Sequence, residues 1–222
     1  QTYLEDVKAI GDRFTIENLA LNTQNSEFGA KRIDSVLIYT ATKKKKSILA
    51  KIYGWNNQNY LDLYQHPIKH VNAGDSLSLP FSPTINTRMH EGTFAMTNNG
   101  NTVYFTRNNF VKGKRGTDGK KVSKLKIYRS DRVNGQWQKA VELPFNDSGY
   151  STEHPALSAD GSTLYFSSDR PGGHGSFDLY VVSISGNTYG DPVNLGPKIN
   201  TDKKEQFPFI DPPEGKMIND GF

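Results

Sequence analysis

The stretch Ser168–Asp178 (SDRPGGHGSFD) gathers Asp169, Arg170, His174 and Asp178 around three glycines. Glycine lets backbone amides approach a ligand closely, so this composition suits an anion or a metal ion. The competing reading is a long turn whose charged side chains bond the backbone and hold neighbouring repeats together. That reading carries more weight, but the four residues stay candidates for a contact surface.

Two basic clusters come next. Lys43, Lys44, Lys45 and Lys46 form one run, and Lys112, Lys114, Arg115, Lys120, Lys121, Lys124 and Lys126 a second. Such clusters attract an acidic protein, an anionic glycan or lipid headgroups. They also serve as solvated loops that discourage edge-to-edge strand pairing. Lys43, Lys44, Lys45, Lys46, Lys114 and Arg115 join the candidate partner-binding residues.

Histidine offers less. His66 and His70 have the spacing of a helical metal pair, but Pro67 between them argues against a helix interior. His90 and His154 each stand beside the same repeat feature, where packing or an inter-repeat hydrogen bond is the simpler role. Asp160-Gly161 sits in a turn resembling an Asp-box, in which aspartate caps and glycine supplies the unusual φ. There is no G-x-S-x-G, no phosphate-binding G-x-x-x-x-G-K-[ST] and no H-E-x-x-H. No catalytic, cofactor-binding or metal-binding residue is assigned, and a non-enzymatic protein without a cofactor is expected. No nucleic-acid reader motif accompanies the basic clusters.

The elements that position these residues are short strands. The 222 residues include 20 Gly, 11 Pro, 11 Tyr and 12 Phe, the makings of aromatic strands and tight turns. With no cysteine, disulfides and thiol chemistry are excluded. No apolar run approaches the roughly 18 residues of a membrane helix, so direct membrane insertion is not expected. Residue 1 reads as internal, with no signal peptide. The excess of 27 Lys and Arg over 23 Asp and Glu permits an anionic partner without requiring one.

Internal repeats decide the fold. Glu91–Thr106 (EGTFAMTNNGNTVYFT) and Glu153–Ser168 (EHPALSADGSTLYFSS) each read as strand, Asn-Gly or Asp-Gly turn, strand. A weaker copy begins at Glu27 and a fourth at Glu205. After each hairpin comes a third strand: Tyr60–Tyr64, Lys124–Arg129 and Phe177–Val182. Proline-bearing segments at Ser76–Asn86, Trp137–Phe145 and Tyr189–Asn200 follow as outer edge strands. This is the order of a propeller blade. The expected fold is all-β, a β-propeller of four-stranded blades, partial or with four to six blades. Residues 1–13 form a lead-in, helical or the tail of a helical repeat. Residues 14–211 carry the propeller repeats, with copies near 27, 91, 153 and 205, and residues 212–222 form an irregular tail. An orphan fourth strand near Phe14–Leu21 is expected to complete the last blade.

The segment SADGSTLYFSSDRPGGHGSFDLYV at 158–181 resembles the WD40-like repeat of bacterial periplasmic propellers. LGPKINTDKKEQFPFI at 195–210 is similar to the link between such repeats in outer-membrane-associated proteins of the Bacteroidetes type. That family combines helical repeats, a propeller, a small β-sandwich and an OmpA-like domain that binds peptidoglycan; its PorE-like branch is associated with type IX secretion. The resemblance implies a periplasmic, outer-membrane-associated, non-catalytic scaffold. Its partners would be envelope or secretion-machinery proteins, and it would meet peptidoglycan only through domains not present here. A glycan-binding or glycan-active propeller is the alternative. It needs paired carboxylates at the channel, or exposed aromatics such as Trp55 or Trp137.

Overall fold

The computed structural model describes residues 17–43, 52–54, 56–111, 114–210 and 217–219. Three antiparallel sheets follow one another along the chain, each laid down in sequence order. The first has β1 (Glu27–Ile33), β2 (Val36–Ala41), β3 (Asp62–Pro67) and β4 (Leu79–Pro80). The second has β5 (Glu91–Met96), β6 (Thr102–Asn108), β7 (Leu125–Val133) and β8 (Val141–Glu142). The third has β9 (Thr152–Leu157), β10 (Thr163–Ser168), β11 (Asp178–Ser185) and β12 (Val193–Asn194). A fourth begins with β13 (Pro208–Ile210), which pairs with β14 (Met217–Asn219). No α-helix occurs among the described residues; the expected lead-in at 1–13 and most of the tail lie outside them.

The alternation of each strand turns into sheet-to-sheet packing. On β2, Ile38 faces the second sheet while Tyr39 and Ala41 face the opposite way, under Leu19 and Leu21. On β6, Phe105 faces the first sheet and Tyr104 the third. Two layered cores result. One holds Ile38, Leu63, Phe81 and Ile85 against Met96, Val103, Phe105 and Tyr128. The other holds Tyr104, Ile127 and Phe145 against Leu164, Phe166 and Tyr180. Trp137, half-buried, packs on Phe81 at 5.1 Å between ring centroids, against the outside of the first of these cores.

The hairpin turns are those the residues demand. Gly100 and Gly161 take φ of 67° and 74°. The Asp160 carboxylate accepts from the Ser158 and Ser162 hydroxyls, at 2.6 and 2.7 Å, and from the Ser162 amide at 3.0 Å. These bonds hold its pKa at about 2, so the turn keeps its charge.

A β-bulge interrupts the first strand of each complete sheet. Gly29, Thr93, His154 and Phe207 share one position in the repeat and take φ of 62°, 34°, 54° and 53°. This aligns Thr152, rather than Glu153, with Glu27, Glu91 and Glu205. The third copy therefore starts one residue earlier than its glutamate suggests. The other three copies share a bond set: Thr23, Thr87 and Thr201 each donate their hydroxyl at 2.6 Å to the glutamate four residues on.

Neighbouring sheets are also latched by hydrogen bonds. The Thr106 hydroxyl on β6 accepts from the His154 amide at 2.9 Å, and the matching Ser167 on β10 donates to the Glu205 carbonyl at 2.6 Å. Asn98 reaches from one hairpin turn to the Ala159 carbonyl of the next at 2.7 Å.

Candidate functional site

The first strands β1, β5, β9 and β13 line a cavity of about 580 Å³ where the sheets converge. Its wall is largely apolar, from Phe94, Met96, Pro155, Ala156, Pro208 and Ile210. Lys31, Arg32 and His154 add the basic groups. The Lys31 ammonium donates to the Met96 carbonyl at 3.0 Å, and burial pulls its pKa down. His154 stacks on Phe207 at 3.7 Å between centroids, and burial drives its imidazole down to about 3, so it is neutral at physiological pH. The described lining contains no aspartate or glutamate. Glu153 is buried beside the cavity, where it accepts from the Gln206 amide and stands 3.6 Å from His154 Nδ1. Burial pushes its carboxyl up to about 7. A glycosidase needs two carboxyl groups facing across the reacting bond. This lining offers cations and a neutral imidazole instead.

The charged side chains at the two ends of Ser168–Asp178 are turned inward, while Pro171–His174 are exposed. Asp169 accepts from the Ser151 amide at 2.5 Å and from Lys124 Nζ at 2.9 Å. The Arg170 guanidinium lies over three rings, 5.0 Å from Tyr150 and Phe166 and 4.8 Å from Tyr180, and desolvation lowers its pKa. Asp178 is buried and accepts from the amides of His174 and Gly175, at 2.6 and 2.8 Å, and from Asn194 Nδ2 at 2.7 Å. Burial alone would raise the Asp178 carboxyl, but these donors outweigh it and hold the pKa low. His174 is exposed.

The basic clusters divide in the same way. Lys43 sits over the rings of Tyr39 and Tyr64, 5.0 Å from each, and burial lowers its pKa to about 8 against the pull of Glu27. Lys44, Lys45 and Lys46 lie outside the described residues, as does Trp55. Lys114 and Arg115 form a two-residue strand paired with Phe110–Val111. Lys124 and Lys126 are committed to Asp169 and Glu142, at 2.9 and 2.6 Å. Lys43, Asp169 and Arg170 are half-buried and Asp178 is buried, and the fold's own rings and amides engage their charges. Of the expected ten residues, His174 is the one whose described side chain faces solvent.

A regularity links these fixtures. The third-strand tyrosines Tyr64, Tyr128 and Tyr180 each face a cation, Lys43, Arg107 and Arg170 respectively. Lys43 and Arg170 are the last residues of the aligned segments YTATK and FSSDR, so the signal lay in the aligned copies. In the middle copy the cation is two positions earlier. There Arg107 pairs with buried Glu91 at 2.7 Å and donates to the Ile85 carbonyl.

His66 is buried, with Nδ1 3.0 Å from the Ser78 hydroxyl and Nε2 3.0 Å from the His70 carbonyl. Both ring nitrogens are thereby engaged within the fold. No group of three His, Cys, Asp or Glu suited to a metal ion occurs among the described residues. No described helix is long and apolar enough to cross a membrane.

These sheets, the second and third widened by two-residue strands at Gln136–Trp137 and Thr188–Tyr189, define a propeller-type fold of antiparallel blades. No family model matches the sequence. No curated protein matches it either. Among solved structures it is similar to TolB from Acinetobacter baumannii, with 20% identity and a TM-score of 0.48 over 82% of this chain and 33% of that one. Putative TolB from Agrobacterium tumefaciens gives 14% identity and a TM-score of 0.48 over 83% of this chain and 50% of that one. Trypanosoma rangeli sialidase gives 14% identity and a TM-score of 0.42 over 88% of this chain and 34% of that one. The chain thus spans a third to a half of the length of the TolB chains. Likeness at this level carries no argument about function, and the fold stands on the sheets themselves.

Proposed function

We propose that this chain is a non-catalytic, protein-binding propeller of a periplasmic, outer-membrane-associated envelope protein. One observation carries the non-catalytic reading. The convergent cavity is lined by apolar groups, two cations and a neutral imidazole, while Glu153 beside it is bonded into the fold. Function is argued from such sites rather than from the fold. The latches between sheets support a rigid scaffold that presents loops to a partner. The contact loops are those bearing His174, Lys114 and Arg115, together with the Lys44–Lys46 run. The finer assignment is to a type IX secretion component, held to peptidoglycan by an OmpA-like domain. In this reading the propeller has four to six blades, and an outer strand near Phe14–Leu21, whose end at Leu19–Leu21 is coil and turn, closes the ring. The recurrence of Asn22-Thr23 before Glu27, like Asn86-Thr87 before Glu91 and Asn200-Thr201 before Glu205, supports that closure.

The non-catalytic reading is tested by incubating the purified protein with panels of chromogenic glycosides and peptide amides. No turnover above buffer is expected. Turnover abolished by His154→Ala or Glu153→Gln would overturn it.

A further inference from the structure

A second cavity, of about 360 Å³, opens between the first and second sheets, away from the convergent one. Both of those sheets are complete, so the site does not depend on how the ring closes. Its wall includes Phe28, Tyr53, His90, Thr42, Asn56 and Asn108 and carries no ionisable carboxylate, lysine or arginine among the described residues. The His90 ring lies edge-on to Tyr53, with centroids 4.6 Å apart and planes at 88°, and is backed by Tyr60 at 4.5 Å.

The state of His90 follows from its bonds. Nδ1 accepts the Leu61 amide at 3.1 Å, so the proton of the neutral ring sits on Nε2, which is left to donate. Burial lowers its pKa to about 4, which keeps it neutral near pH 7. Asn108 Oδ1 accepts the His90 amide at 3.2 Å, leaving the side-chain NH2 without a partner among the described residues.

Comparison of the repeats separates this cluster from a purely structural role. The backbone cap that His90 provides for Leu61 is provided at the equivalent place by the Ser151 hydroxyl, 3.2 Å from the Leu125 amide. A serine is therefore sufficient for the blade. Tyr53 comes from a short hairpin, Ile52–Tyr53 paired with Gln58–Asn59, inserted in the first copy. The aromatic cluster is an addition to one repeat rather than a property of the fold.

Aromatic faces offer an apolar platform, and neutral amide and imidazole donors fix orientation. A sugar ring matches that combination, with C–H groups on one face and hydroxyls around its edge. The absence of charge in the described wall disfavours an anionic ligand. We infer that the Tyr53–His90–Asn108 pocket binds a neutral sugar residue of a glycan, the ring lying on Tyr53 and its hydroxyls meeting His90 Nε2 and Asn108. This is binding without turnover and is independent of any protein partner.

The test titrates the full chain with neutral cello-, manno- and chito-oligosaccharides, with an oligogalacturonate as the charged control. Aromatic NMR signals of His90 and Tyr53 give the readout. A saturable shift of both sets is expected with at least one neutral oligosaccharide, with little dependence on salt. His90→Ser should retain the Leu61 cap and the melting temperature yet weaken binding about tenfold or more, as should Tyr53→Ala. No saturable shift with any neutral sugar, a response to oligogalacturonate alone, or unchanged affinity in both variants would overturn the inference.

Discussion

Asn200 holds Leu179 at both ends of its side-chain amide. Oδ1 accepts the Leu179 N–H at 2.8 Å, and Nδ2 donates to the Leu179 carbonyl at 3.0 Å. Asn86 clips Leu63 in the same way at 3.0 and 2.8 Å, and Asn146 clips Ile127 at 3.1 and 2.7 Å. Each blade thus ends with an asparagine that closes the third strand where the outer strand has run out.

The clip gives the first prediction. Leu179 is fully buried, so Asn200→Ala strands its amide without water, while its carbonyl keeps the Leu195 N–H at 3.1 Å. The expected loss is about 2 kcal/mol, seen as a fall of roughly 4–8 °C in melting temperature. Asn146→Ala should behave alike. A loss under about 1 kcal/mol in both would show that the strands are held otherwise.

The Arg107–Glu91 pair gives the second. Both side chains are buried, and Glu91 also accepts from the Thr87 amide at 2.9 Å and hydroxyl at 2.6 Å. Arg107→Met leaves a buried carboxylate unpaired and should cost about 3–5 kcal/mol in chemical denaturation. Burial already pushes the Glu91 carboxyl up to about 7 with Arg107 present. Adding Glu91→Gln should therefore restore part of the loss. An additive double variant would refute the coupling.

Glu153 predicts a pH dependence. Burial raises its folded pKa from 4.5 to about 7. The folded state therefore holds the proton more tightly than the unfolded one. This stabilising contribution is complete below pH 4.5 and is lost as pH rises through about 7. Glu153→Gln should remove that alkaline loss, so the variant gains on the wild type between pH 5 and 8. His154 works in the opposite sense. Its pKa falls from 6.5 to about 3, so its contribution is present above 6.5 and lost as pH falls toward 3. Parallel stability–pH curves for wild type and Glu153→Gln would contradict the assignment.

Arg170 predicts a separation of stability from binding. Its guanidinium lies over Tyr150, Phe166 and Tyr180. Arg170→Lys keeps the charge but loses the planar stack, and should cost about 1–2 kcal/mol. Partner capture should be unchanged wherever the variant is folded. Loss of capture without loss of stability would return Arg170 to the contact surface.

The repeat was legible because Asn98-Asn99-Gly100 and Asp160-Gly161 are local turn chemistry, and the strands around them alternate with period two. The register of the third copy was less so. Glu153 looks like the partner of Glu91, but the bulge at His154 aligns with Thr93 and puts Thr152 in the glutamate's place. Backbone φ has no signature in a sequence where Thr, His and Phe occupy a position that Gly29 fills elsewhere. A structural role for Asp178 and Arg170 was the favoured reading, but their particular partners, Asn194 and Tyr150, lie many residues away and left no local sign. The His90 cluster was invisible for the same reason: Tyr53 and Tyr60 belong to a different blade segment from the histidine they surround.

The central claim is that exposed loops dock a protein partner while the inward charges only build the scaffold. Affinity capture from envelope extract tests it, comparing the wild type with Lys114→Glu/Arg115→Glu/His174→Glu and with Arg170→Lys. The wild type and Arg170→Lys should retain the same envelope proteins, and the triple variant, with unchanged melting temperature, should lose them. Equal retention by all three proteins, or no retained protein at all, would contradict the account.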